Sequence, residues 1–177
     1  MQRPPKYARI ERERRFLVDR FPNADVAVRR SIKDRYIDGT LLRLREQTDD
    51  SGRTIYKLTQ KVASRGSGAQ QGWITTIYLT ESEFRLLTQL PARTLSKIRY
   101  SVPPFGIDVF EGALYGLRLA EAEFHSAAEA EALNVLDFLL REVTDDERFT
   151  GGQLVCASRP DVESWLAGYG IRRCGGS

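Results

Sequence analysis

The chain has 177 residues, 41% of them hydrophobic and 29% charged, and a net charge of only +3. This is enough apolar material for one core, and it excludes an intrinsically disordered chain. So small a bulk charge does not imply a nucleic-acid binder, and no specific binding of nucleic-acid duplexes is expected. No segment approaches the roughly 18 uninterrupted apolar residues that cross a bilayer. "MQRPPKYARI" lacks the apolar run of a secretory leader. Cys156 and Cys174 are isolated and fit neither a disulfide framework nor a metal motif. The expectation is a cytoplasmic protein with no membrane partner, one domain over 1–177 and a flexible tail from 170.

In chain order, the first predicted element is "IERERRF" (10–16), which alternates as a strand with Glu11, Glu13 and Arg15 on one face. Arg12 and Arg14 lie on the other face with Ile10 and Phe16. "TLLRLRE" (40–46) and "TIYKLTQKV" (54–62) alternate in the same way, separated by the turn-rich "TDDSGR" (48–53). "SRGSGAQQG" (64–72) reads as a loop before the strand "WITTIYL" (73–79). "TESEFRLLTQL" opens a helix with Thr80 and Glu83 at capping-box spacing. "LSKIRYS" (95–101) is a strand, broken at "SVPPFG" because consecutive prolines cannot sit in a ladder. "IDVFEG" (107–112) and "LRLAEAEF" (117–124) are further strands. "SAAEAEALNVLDFLL" predicts a helix from Ser126 and Glu129. "RPDVESWLAGYG" predicts a short last helix, with proline near its start and glycine near its end. The chain is α+β.

The polar faces of these strands carry charge. Arg43 and Arg45 share a face, as do Lys57, Thr59 and Lys61, Lys97 and Arg99, and Glu121 and Glu123. Charged faces on an antiparallel sheet are ordinarily the solvated side. Like signs paired on one strand are less ordinary, because they repel. A closed sheet is the alternative, with cations and carboxylates inward and helices over the outer faces. Such a lumen needs water, carboxylates or a polyanion to balance it. Arginine matches phosphate through bidentate hydrogen bonds, and paired carboxylates share hard cations. Together these groups describe phosphoryl-transfer chemistry.

"IERERRFLV" resembles the ExExK signature of CYTH domains, the triphosphate tunnel metalloenzymes. "LLRLRE", "YKLTQK", "LSKIRYS", "IDVFEGALYGLRLAEAEF" and "REVTDDERFT" resemble further motifs of that family, in its order, over residues 10 to 155. The resemblance implies an eight-stranded antiparallel β-barrel, the triphosphate tunnel fold, with a few helices packed outside. It implies a triphosphate-containing small molecule as ligand and Mg²⁺ or Mn²⁺ as cofactor. By resemblance Glu11, Glu13, Glu121 and Glu123 bind metal, and Glu11, Glu13 and Arg15 form the catalytic set. Arg43, Arg45, Lys61, Lys97 and Arg99 hold phosphates, and Asp108 orients one of these cations.

The chain departs from the pattern twice. Arg15 replaces the lysine of ExExK. Gln70, Gly72 and Ile74 stand where the family has Arg and two Glu, so a second carboxylate pair is missing. The expected function is metal-dependent hydrolysis of a triphosphate. The alternatives are a triphosphate- or polyphosphate-binding module with little turnover, and a barrel retained as a scaffold. His125, the single histidine, reads as a surface or capping residue, and Trp73 and Trp165 as packing residues.

Overall fold

The computed structural model describes residues 5–23, 25–63 and 69–171, with backbone alone at 70 and 71. Its strands are β1 (Arg9–Val18), β2 (Val28–Ile37), β3 (Leu42–Asp49), β4 (Thr54–Ala63) and β5 (Gln70–Leu79). They continue as β6 (Ala92–Val102), β7 (Phe105–Phe110), β8 (Arg118–Glu123) and β9 (Leu139–Glu142). The helices are α1 (Glu81–Leu87), α2 (Ala127–Glu131), α3 (Gly151–Leu154) and α4 (Arg159–Gly168). Residues 64–68 of the expected loop, and residues 172–177 with Cys174, lie outside the described residues.

The sheet runs β5-β4-β3-β2-β6-β7-β8-β1, and β1 also pairs β5, which closes it into an eight-stranded antiparallel barrel. The first half of β1 meets β5 (Arg9↔Ile74, Glu11↔Gly72). Its second half meets β8 (Glu13↔Glu123, Arg15↔Glu121). Where β5 leaves β1, the short β9 takes over (Phe16↔Glu142).

Two elements differ from the sequence reading. The helix expected from Ser126 does start there, and the Ser126 hydroxyl accepts from the Glu129 N–H at 3.1 Å. It ends at Glu131, and the chain then extends into β9. The physical reason is the backbone of β1, which needs partners beyond β5; Val143 N–H donates to the Arg15 carbonyl at 2.8 Å. β2 was not expected as a strand, because Arg29, Arg30, Lys33, Asp34 and Arg35 put charge on both of its faces. The other helices follow their caps: Thr80 with Glu83 before α1, and Ser158 with Asp161 before α4. The prolines at 103 and 104 form the turn between β6 and β7, outside the ladder that ends at Val102↔Phe105.

Two apolar clusters hold the barrel. Phe16, Val102, Phe105, Ile107, Ala120 and Ala122 face outward and pack with Leu139 of β9. The second cluster is on the inner face. Leu17, Leu95, Phe110 and Leu119 share the faces of Arg15, Lys97, Asp108 and Glu121, and they pack on Phe149, Leu154, Val162 and Leu166. The C-terminal helices therefore plug one end of the barrel. Each such Leu or Phe contributes about 1.5–3 kcal/mol by burial. The rest of the interior carries mainly charged side chains, with Ile32, Thr59 and Ile74 among them. Among the described residues no helix is long and apolar enough to cross a membrane.

Candidate active site

Directly opposed residues of antiparallel neighbours point to one side, so the register defines the lumen. Asp34 opposes Arg45, and Arg45 opposes Lys57. Arg30 opposes Arg99, Arg99 opposes Asp108, and Gly106 opposes Glu121. Glu121 opposes Arg15, and Glu11 opposes Gly72. Alternation adds Glu13, Arg43, Lys61 and Lys97 to the same surface. The structure thus brings Glu11, Glu13, Arg15, Arg43, Arg45, Lys61, Lys97, Arg99, Asp108 and Glu121 together. Glu123 opposes Glu13 on the same face, but is exposed.

Two buried aspartates anchor the cations. Asp34, 1% exposed, accepts from Nε and Nη2 of Arg45, both at 2.7 Å. Arg43 Nε lies 3.7 Å from it, too far for a hydrogen bond. Burial alone would raise the Asp34 carboxyl, but Arg45 and Arg43 outweigh it and hold the group well below the usual range. Asp108, 0% exposed, accepts from Nε and Nη2 of Arg99, both at 2.6 Å, and from Lys97 Nζ. Burial lowers the Lys97 ammonium against the pull of Asp108. Tyr36, packed against the plug, is pushed up to about 12 by burial and by Asp34.

Glu11, Glu13 and Glu121 are already paired. Lys61 Nζ lies 2.6 Å from Glu11 Oε1. Arg15 donates from Nη2 to Glu13 and from Nε to Glu121, the latter at 3.2 Å. Arg99 also donates to Glu121. Burial and the neighbouring Glu121 raise the Glu13 carboxyl. Glu121 goes the other way: burial raises it, but Arg99, Lys97 and Arg15 outweigh this and hold it well below the ordinary value. Arg15 Nη1 and Arg43 Nε are buried with no hydrogen-bond partner among the described residues. Each is a buried donor that lacks a hydrogen bond, and Arg43 Nε lies nearest to Asp34, at 3.7 Å. The carboxylates supply the hard oxygens that Mg²⁺ or Mn²⁺ prefers. Among the described residues, however, no three of them converge as they would around an ion.

β5 adds no carboxylate to the lumen. Ile74 faces inward opposite Lys61, 7% exposed. Gly72 sits where the register slips beside Glu11, at φ +142°, a conformation that disfavours side chains. Glu81 and Glu83 belong to the cap of α1; Glu83 accepts from Thr80 N–H at 2.7 Å.

Sequence reasoning missed Asp34, Arg30 and Thr144. The spacing of Arg30, Ile32, Asp34 and Tyr36 was the available signal for the first two. Thr144, 7% exposed, accepts from the Arg15 backbone N–H at 3.0 Å and donates to Glu142 at 2.6 Å. Outward-facing Arg14 grips the same Glu142 at 2.9 and 2.6 Å, which ties the "REVT" segment to β1. His125 is exposed and precedes Ser126, the N-cap of α2; its backbone N–H donates to Glu129. Trp73 opposes Ile10 and Val62 on the outer face, and Trp165 packs on Phe149.

No protein-family model matches the chain. Over 147 residues it is 35% identical to the inorganic triphosphatase of Nitrosomonas europaea, across 78% of this chain and 92% of that protein. With the barrel and its charged lumen, this establishes that the chain belongs to the triphosphate tunnel metalloenzyme, or CYTH, family. Among solved structures, the hypothetical protein NE1496 matches with a TM-score of 0.56 at 30% identity, over 84% of this chain and 99% of that one. The inorganic triphosphatase NE1496 matches with a TM-score of 0.55 at 27% identity, over 83% and 95%. The PH1819 protein of Pyrococcus horikoshii OT3 has a TM-score of 0.51 at 16% identity, over 92% of each chain, and shows the fold alone.

Proposed function

We infer that the chain hydrolyses a triphosphate, with inorganic tripolyphosphate as the favoured substrate, and water cleaves it to pyrophosphate and orthophosphate. The observation that carries this reading is the lumen itself. Arg43, Arg45, Lys61, Lys97 and Arg99, with Lys57 beside them, converge in a barrel plugged at one end. The similarity to an inorganic triphosphatase supports the choice of substrate.

The residues act by position and charge. Asp34 and Asp108 hold the forks of Arg45 and Arg99, so little rotamer entropy is lost when phosphate oxygens arrive. Lys61, Lys97 and Arg43 add charge along the bound anion. Glu11, Glu13 and Glu121, with Glu123 at the rim, are the groups that would hold Mg²⁺ or Mn²⁺. When bound, such an ion supplies Lewis-acid polarisation and neutralises charge on the phosphate oxygens. Glu11 and Glu13 would also orient the attacking water.

A second reading, a triphosphate- or polyphosphate-binding module with weak turnover, is favoured by one observation. β5 offers Gly72 and Ile74 where relatives carry carboxylates, while the cations that bind are all present. Loss of one positioning group costs about 10²- to 10⁴-fold in rate and leaves binding largely intact. A panel of tripolyphosphate, ATP and thiamine triphosphate, each with Mg²⁺ or Mn²⁺, separates the two. The hydrolase reading expects orthophosphate release, fastest from tripolyphosphate and abolished by Glu11→Ala. Thermal stabilisation without release would select the binding module. No thermal shift at millimolar tripolyphosphate would rule out both.

A further inference from the structure

Arg15 stands where its family carries lysine, and its three guanidinium nitrogens have three different surroundings. Nη2 donates to Glu13 on its own strand, and Nε donates to Glu121 on the neighbouring β8 at 3.2 Å. Nη1 is buried without a hydrogen-bond partner among the described residues. The side chain is only 5% exposed. Its backbone is pinned as well, N–H to the Thr144 hydroxyl and carbonyl to Val143 N–H. A lysine ammonium is a compact point charge, whereas the planar fork reaches two carboxylates from separate nitrogens. Glu13 and Glu121 repel each other, and the guanidinium offsets that repulsion from between them. In a triphosphatase with this lumen, the same carboxylate oxygens are the ones that would hold a divalent cation.

Resting on that triphosphatase reading, we propose that Arg15 is the resident counter-ion of the Glu13–Glu121 pair, opposing the divalent cation and favouring the triphosphate. The fork satisfies both carboxylates, so an incoming divalent ion must displace it. A triphosphate offers oxygens to Nη1 and then to the nitrogens that leave Glu13 and Glu121. The two ligands therefore strengthen one another, and the coupling is reciprocal. This departs from a lumen in which the metal is held first and the anion second. Here the guanidinium passes from carboxylate to phosphate as both arrive.

The test reads binding rather than turnover. Mn²⁺ alone is titrated into the protein and followed by water-proton relaxation, and tripolyphosphate is titrated in EDTA by calorimetry. Arg15→Gln is expected to bind Mn²⁺ about tenfold more tightly and tripolyphosphate about tenfold more weakly than the parent, from typical couplings between sites. Arg15→Lys moves both affinities in the same directions by less, and serves if the glutamine variant does not fold. Simple structural damage would weaken both ligands, so opposite signs are the signature. Mn²⁺ affinity that is unchanged or lower in the folded variants, with tripolyphosphate still bound by the parent, overturns the proposal alone. A parent that binds no tripolyphosphate overturns the triphosphate reading, and this proposal with it.

Discussion

Asp34→Asn removes one negative charge from a buried part of the lumen and keeps the side chain's shape. Asp34 is 1% exposed and offsets Arg45, whose Nε and Nη2 both lie at 2.7 Å, and Arg43 at 3.7 Å. Removing one partner of a buried pair costs about 3–5 kcal/mol. The Arg43 side chain keeps 14% exposure and so some hydration, which favours the lower end, about 3 kcal/mol. For a chain of this size that lowers Tm by roughly 6–12 °C. The sign of the pH dependence comes from the depressed carboxyl. A carboxyl held low in the folded state stabilises the fold above its unfolded value, near 3.9, and loses that stabilisation as pH falls toward the folded value. The gap between parent and variant should therefore close by about 1.4 kcal/mol per pH unit below about 3.9. Thermal melts by circular dichroism at pH 7 and at about pH 2.5 measure both effects. Millimolar tripolyphosphate at pH 7 should also narrow the gap, because it supplies charge to the orphaned guanidinium. A variant within about 2 °C of the parent at pH 7, roughly what 1 kcal/mol would give, would refute the account of Asp34 as an anchor.

Two further substitutions probe the parts around the site. Gly72→Glu returns a carboxylate to the family position, but at φ +142° beside the bulge; it should destabilise the fold by about 1–3 kcal/mol without raising turnover, as melts and phosphate release will show. Thr144→Val keeps the shape but leaves the Arg15 N–H without its acceptor; a loss of about 1–3 kcal/mol in chemical denaturation is expected, with weaker tripolyphosphate binding because Arg15 is less well placed.

Much of the barrel was legible because its strands alternate charge with apolar residues. "LLRLRE", "YKLTQK" and "LSKIRYS" each place like charges on one face, and each face turned out to be the lumen. β2 was illegible for a physical reason. Its inner face mixes Arg30, Ile32, Asp34 and Tyr36, while Arg29, Lys33 and Arg35 charge the outer one, so no period-two contrast survives. Asp34 was missed with its strand, although it anchors the cations as Asp108 does. β9 was hidden by local signals that favour a helix after Ser126. What overrides them is the backbone of β1, which no window of sequence around residue 139 contains. The plug was equally hidden: Leu17 and Leu119 read as strand continuations, and only the C-terminal helices make them the floor of the lumen. The Arg15–Glu121 pair depends on β1 and β8 meeting across more than 100 residues of chain, and that contact is what joins the Arg15–Glu13 and Arg99–Glu121 pairs into one network.

On the proposed function, this lumen takes up a triphosphate and cleaves it. Phosphorus NMR of tripolyphosphate with Mg²⁺, followed in time with the parent and with Arg99→Ala, tests it most directly. One orthophosphate and one pyrophosphate are expected for each tripolyphosphate consumed by the parent. The variant should bind the substrate at least about tenfold more weakly, the scale of a lost charge-assisted contact. Tripolyphosphate signals that neither broaden nor decay in the presence of the parent protein would contradict it.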